Sequence, residues 1–262
     1  FISKYNPDGT KEWTRLLGTF GTSTQGHALT TGSNGSIYIA GETSGDLDGQ
    51  TNSTGEYVFR GSDAFISKYN PDGTKEWTRL LGSAERDEGG ALTTGSDGSI
   101  YISGRTRGDL DGQTLNGDQD AFISKYNPDG TKEWTRLLGS SARDNGSTLT
   151  TGSDGSIYIA GYTENDQSSG DFDATISKYN PDGTKEWTRL ILSTTSSMED
   201  TEALVTGIDG SIYIAGFTQI IGDRDSRDIF ISKYNPNKSD ADPRAKFGYQ
   251  LVDENGNAIN HL

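Results

Sequence analysis

An 18-residue string, FISKYNPDGTKEWTRLLG, occurs three times without change, starting at Phe1, Phe65 and Phe122. A near copy, TISKYNPDGTKEWTRLI, starts at Thr175, and a shortened one, FISKYNPN, at Phe230. Successive starts lie 64, 57, 53 and 55 residues apart. A second motif, close to ALTTGSDGSIYIAG, falls between them, with its core at Ile37–Ala40, Ile100–Ser103, Ile157–Ala160 and Ile212–Ala215. Self-similarity at such a period restricts the chain to architectures in which each unit buries its apolar faces against its neighbours.

Each unit reads as four short strands. In one unit they are A, Ala91–Thr94; B, Ser99–Gly104; C, Ala121–Tyr126; and D, Lys132–Leu138. Their β-branched and aromatic residues suit a pleated surface. The A–B turn is mostly Ser-Asp-Gly or Ser-Asn-Gly, and the C–D turn is Asn-Pro-Asp-Gly. Pro presets φ at the second turn position, and Gly supplies the left-handed residue that restarts the ladder. Strand B is apolar on both faces, with Ile37 and Ile39 on one and Tyr38 and Ala40 on the other. That suits a sheet covered on both sides. No segment sustains a helical period. The sequence therefore predicts an all-β fold, a β-propeller of four-stranded antiparallel blades.

The motifs GSIYIAG, DAFISKYNPDG and KEWTRLLG resemble the SBBP family of bacterial β-propeller repeats, over about residues 1–237. The resemblance implies a secreted or cell-surface setting and no defined activity. Residues 1–237 are read as the repeat domain, with units starting near 1, 65, 122, 175 and 230. Residues 238–262 are read as a linker plus a hairpin around Asn255-Gly256, closing strands or the start of another domain. Strand C occurs five times, but A, B and D four times, so four or five blades fit. A start inside a repeat suggests a fragment of a larger array.

The net charge is −15, hydrophobic residues make up 30%, and Cys is absent. The charge opposes nucleic acid as a partner. No run approaches the roughly 20 apolar residues of a membrane helix. Without Cys there is no disulfide, thiolate metal site or thiol nucleophile. The charge also sorts by edge. The B–C and D–A loops vary between units and hold 23 of the 38 acids against seven Arg, which leaves the repeated scaffold close to neutral. Loops that vary on a constant scaffold are where binding residues collect.

Alternating aspartates recur in the B–C loops as Asp46 and Asp48, Asp109 and Asp111, Asp118 and Asp120, and Asp171 and Asp173. Carboxylates before a Gly turn can converge on Ca²⁺, which takes oxygen ligands. The competing reading makes them turn aspartates that cap backbone N–H groups. The recurrence of Asp63, Asp120, Asp173 and Asp228 before strand C favours a hydrogen-bonding task. Trp13, Trp77, Trp134 and Trp187 share one position of strand D and read as packing between blades, with sugar stacking as the alternative. Tyr38, Tyr101, Tyr158 and Tyr213 read as core. Arg107-Gly108-Asp109 spells an adhesion tripeptide, but the matching loop has Ser44-Gly45-Asp46. The two His, His27 and His261, build no catalytic motif, so no enzyme is expected and no catalytic residue is assigned. The expected function is a non-catalytic extracellular binding or structural module. Its partners would be a protein or glycan surface or a second copy, without membrane insertion. A lectin is the first alternative, and a carbohydrate-active enzyme using paired loop acids the second.

Overall fold

The computed structural model describes residues 1–53, 61–164, 170–192, 197–223 and 226–234. The expected linker and hairpin at 238–262, and His261, lie outside the described residues. Among those described, the regular elements are all strands.

β1 (Ile2–Tyr5) and β2 (Lys11–Arg15) form a two-stranded ladder with the C and D sequences. Three complete four-stranded blades follow, the third joined to the strands after it in one seven-stranded sheet. The first holds β3 (Thr24–Thr31), β4 (Ile37–Thr43), β5 (Asp63–Tyr69) and β6 (Lys75–Leu81). The second holds β7 (Asp87–Thr94), β8 (Ile100–Thr106), β9 (Asp120–Tyr126) and β10 (Lys132–Leu138). The third holds β11 (Asp144–Thr151), β12 (Ile157–Glu164), β13 (Phe172–Tyr179) and β14 (Lys185–Leu192). An A–B–C set closes the described chain: β15 (Ser197–Thr206), β16 (Ile212–Ile220) and β17 (Asp228–Tyr234). Within each sheet, neighbours in sequence pair antiparallel, so A–B–C–D is also the spatial order. Strand A starts at Asp87 rather than Ala91, and strand B ends at Thr106 rather than Gly104, because ladder bonds continue through the variable residues. Each A strand slips register once, as between Gly26 and Ala28. Gly41 faces this bulge, where an added Cβ would lie 1.8 Å from Gln25 O.

The blades pack as the two-faced apolar pattern requires. Tyr38, Ala40, Ala64, Ile66 and Leu81 of the first complete sheet meet Ile100, Ile102, Phe122 and Tyr126 of the second in one buried cluster. The same faces meet between the second and third sheets, and between the third and β15–β17. The A strands lie side by side in the order β3, β7, β11, β15. A threonine ladder ties their ends: Thr94 Oγ1 donates to Thr31 O, Thr151 Oγ1 to Thr94 O, and Thr206 Oγ1 to Thr151 O. Main-chain links between blades recur as well. Asp87 N donates to Ser62 O, Asp144 N donates to Gln119 O, and Phe172 pairs in parallel with Met198.

A clamp repeats at three junctions. Trp13 Nε1 donates to Pro71 O, Trp77 Nε1 to Pro128 O, and Trp134 Nε1 to Pro181 O, each at 3.2 Å. The Arg two residues on, Arg15, Arg79 or Arg136, donates Nε to the carbonyl of Gly73, Gly130 or Gly183. A Cβ on any of these glycines would lie 2.8–2.9 Å from the indole. Turn and tryptophan are therefore fitted to each other, and each unit's D strand grips the next unit's C–D turn.

Candidate functional site

The candidate site is the edge that carries the B–C and D–A loops. Its most regular element is Asp-Leu-Asp-Gly-Gln, at 46–50 and again at 109–113. Leu47 N donates to Gln50 O and Gln50 N to Leu47 O, and Leu110 and Gln113 do the same. Asp48 (φ 51°) and Gly49 (φ 76°) are both left-handed, as are Asp111 and Gly112, which makes each a primed two-residue turn. The turn drives Leu47 and Leu110 into the blade junctions, where they are fully buried.

The two aspartates of each turn take separate tasks. Asp46 Oδ1 accepts Asn52 N, and Asp109 Oδ1 accepts Leu115 N. Asp48 pairs with Lys75 and accepts the Thr78 hydroxyl, while Asp111 does so with Lys132 and Thr135. Asp118 is exposed, with its amide on Ala142 O. Asp120 is buried, and its Oδ2 accepts Asn116 N. Asp171 and Asp173 are buried, and Asp171 accepts Ser197 N. Among the described residues no three His, Asp or Glu side chains gather closely enough to hold a metal. What the structure does bring together is Asp63 with Asp87, and Asp120 with Asp144, across successive junctions.

These buried acids are the strongest electrostatic feature of the edge. Asp63 Oδ2 accepts Ser53 N, and Asp87 Oδ2 accepts the amide and hydroxyl of Ser83. Their Oδ1 atoms, and that of Asp120, are buried without a hydrogen-bond partner. Burial pushes the Asp87 carboxyl up to about 6 against the pull of Thr106 and Ser83, and the charge of Asp63 adds to the rise. Burial raises Asp63 and Asp120 as well, and lifts Asp200 to about 6. Asp87 and Asp144 escaped the reading by alternation because each acid's partner lies 24 residues away, on the next blade.

Ion pairs cover much of the remaining edge. Arg86 bridges Glu42 and Glu88, Arg105 meets Glu88, and Arg143 pairs with Glu164 at 2.8 Å. Arg107 of the adhesion tripeptide sends its amide to Arg86 O. Trp13, Trp77 and Trp134 sit in the junction clamps, as expected of packing residues, and Tyr38, Tyr101 and Tyr158 are buried. His27 Nδ1 lies 3.2 Å from Gly89 O.

Sheet order, repeat spacing and two-sided packing define the class: this is a β-propeller repeat protein. Residues 12–48 and 133–166 match the SBBP β-propeller repeat. Residues 152–186 also match a β-propeller domain of unknown function, DUF5122. The chain is 29% identical over 211 residues to "Regulatory protein FlaEY" of Caulobacter vibrioides, a match covering 75% of this chain and 22% of that protein. It thus spans about a fifth of the length of that curated relative. A solved structure of unknown function from Dyadobacter fermentans superposes with a TM-score of 0.51 at 10% identity, covering 80% of this chain and 66% of that one. That likeness is one of fold.

Proposed function

We propose that the chain is a non-catalytic binding and structural module of a secreted or cell-surface protein, and that its contact face is the acidic edge. The observation that carries this reading is the division of the molecule. Turns, clamps and apolar faces repeat almost unchanged, while the loops on one edge vary and concentrate the negative charge. A constant scaffold with variable loops is how repeat proteins present binding surfaces. The Caulobacter relative is named a regulatory protein, which is compatible with such a role. The partner chemistry that fits is a basic protein surface, and association with it should weaken with salt.

The test is binding of the chain to basic and to neutral protein surfaces across a salt series. Salt-sensitive binding to the basic surface is expected, reduced when exposed Glu85, Asp109 and Asp118 are neutralised to Gln or Asn. Binding that ignores salt and these substitutions contradicts it. Thermal melting in chelator and in millimolar Ca²⁺ checks an ion contribution, and an unchanged melting temperature removes it. A glycan array checks the lectin alternative, whose tryptophans at three positions are engaged in junction clamps.

A further inference from the structure

The third complete blade departs from its two predecessors in its B–C loop and at the start of its C strand. In the first two, the Asp-Leu-Asp-Gly-Gln turn inserts Leu47 or Leu110 beside Phe65 or Phe122. Its second aspartate then binds a Lys and a Thr of the same blade's D strand. The third blade keeps that D strand, with Lys185 and Thr188 in the matching positions. Its B–C loop, residues 162–173, reads YTENDQSSGDFD and carries no aliphatic residue. Thr175 stands where the other units have Phe.

The consequences are visible in the packing. Thr78 and Thr135 are each 4% exposed, whereas Thr188 is exposed and Leu190 is 48% exposed. Among the described residues Lys185 has no ion-pair partner, whereas Lys75 and Lys132 each hold an aspartate. A cavity of about 290 Å³ opens between the second and third blades. Leu138, Ile159 and Leu190 supply apolar wall, Lys185, Arg189, Thr188 and Thr175 supply cationic and hydroxyl groups, and the buried Asp144 is the acid in the wall. That volume is at the lower end of ligand sites, roughly 300–1,000 Å³.

We propose that this inter-blade cavity binds an acidic peptide segment that carries an aliphatic residue next to an aspartate, the chemistry of the chain's own Asp-Leu-Asp-Gly turns. The aliphatic side chain occupies the volume that Leu and Phe fill elsewhere. The carboxylate takes the Lys185 ammonium and the Thr188 hydroxyl, as Asp111 takes Lys132 and Thr135. This site stands apart from the acidic-edge reading, because it recognises a negative ligand through a cation.

The test is fluorescence anisotropy of a labelled Gly-Asp-Leu-Asp-Gly-Gln peptide titrated with the full chain. Saturable binding is expected. It should weaken at least about tenfold when the peptide's second Asp becomes Asn, or with Lys185→Met, the loss set by one charge-assisted hydrogen bond. Thr175→Phe restores the residue of the other blades and should abolish binding while the chain still melts cooperatively. Absence of saturable binding to the unaltered chain overturns the proposal. So does binding that Lys185→Met and Thr175→Phe leave unchanged.

Discussion

Trp77 illustrates how one side chain joins two blades. Its indole donates to Pro128 O, lies against Gly130 and carries the Arg79 guanidinium 5.6 Å from its ring centroid. Trp77→Ala should cost about 3 kcal/mol, which urea denaturation would read. The matching glycine is under two constraints. Gly9→Ala, with nothing within 4 Å of the new Cβ, should cost about 1 kcal/mol for a left-handed φ alone. Gly130→Ala should cost more, since its Cβ would press on the indole. Asp87 adds a pH dependence. Its folded-state value, about 6, lies above the ordinary value near 3.9 of an unfolded chain. The folded state therefore holds the proton more tightly, and this contribution is full below about pH 4 and lost as pH rises to about 6. Asp87→Asn should flatten the fall in melting temperature over that window, a change on the order of 2 kcal/mol at neutral pH. The tryptophan positions were legible as packing because they recur mid-strand. The burial of Asp87 was not, because it depends on how the next blade seats.

The element that sequence reasoning treated most differently from the structure is the Asp-Leu-Asp-Gly-Gln turn. The turn itself was legible, since Asp-Gly between extended residues marks a primed hairpin. The task of Asp48 was not, because its partners Lys75 and Thr78 lie 27 and 30 residues further along the chain. The left-handed φ of Asp48 aims the carboxylate back at β6, and the leucine beside it becomes the plug. Leu110→Ala should cost about 2–4 kcal/mol as a buried cavity mutation. Asp111→Asn should cost only about 1 kcal/mol, because it weakens one partly exposed charged bond. A comparison of the two by denaturant midpoint separates plug from latch. Equal losses would mean that the ion pair, not the leucine, seats the loop.

At the scale of the whole molecule, the repeat made most of the architecture legible. Identical copies of Asn-Pro-Asp-Gly and Lys-Glu-Trp-Thr-Arg predict identical turns and clamps, and the three junctions bear this out. The cavity was not legible, because it arises from what the third unit omits. A Thr for a Phe and a missing leucine read as ordinary variation until the neighbouring blade shows the space between them. The central claim is that positions repeated between units build the scaffold and departures from the repeat make the sites. Thr175→Phe tests it most directly, through melting temperature and peptide binding measured on the same sample. Refilling the junction should raise the melting temperature, at roughly 2–4 °C per kcal/mol gained, and should abolish binding of the Asp-Leu-Asp peptide. An unchanged or lower melting temperature with binding retained would contradict it.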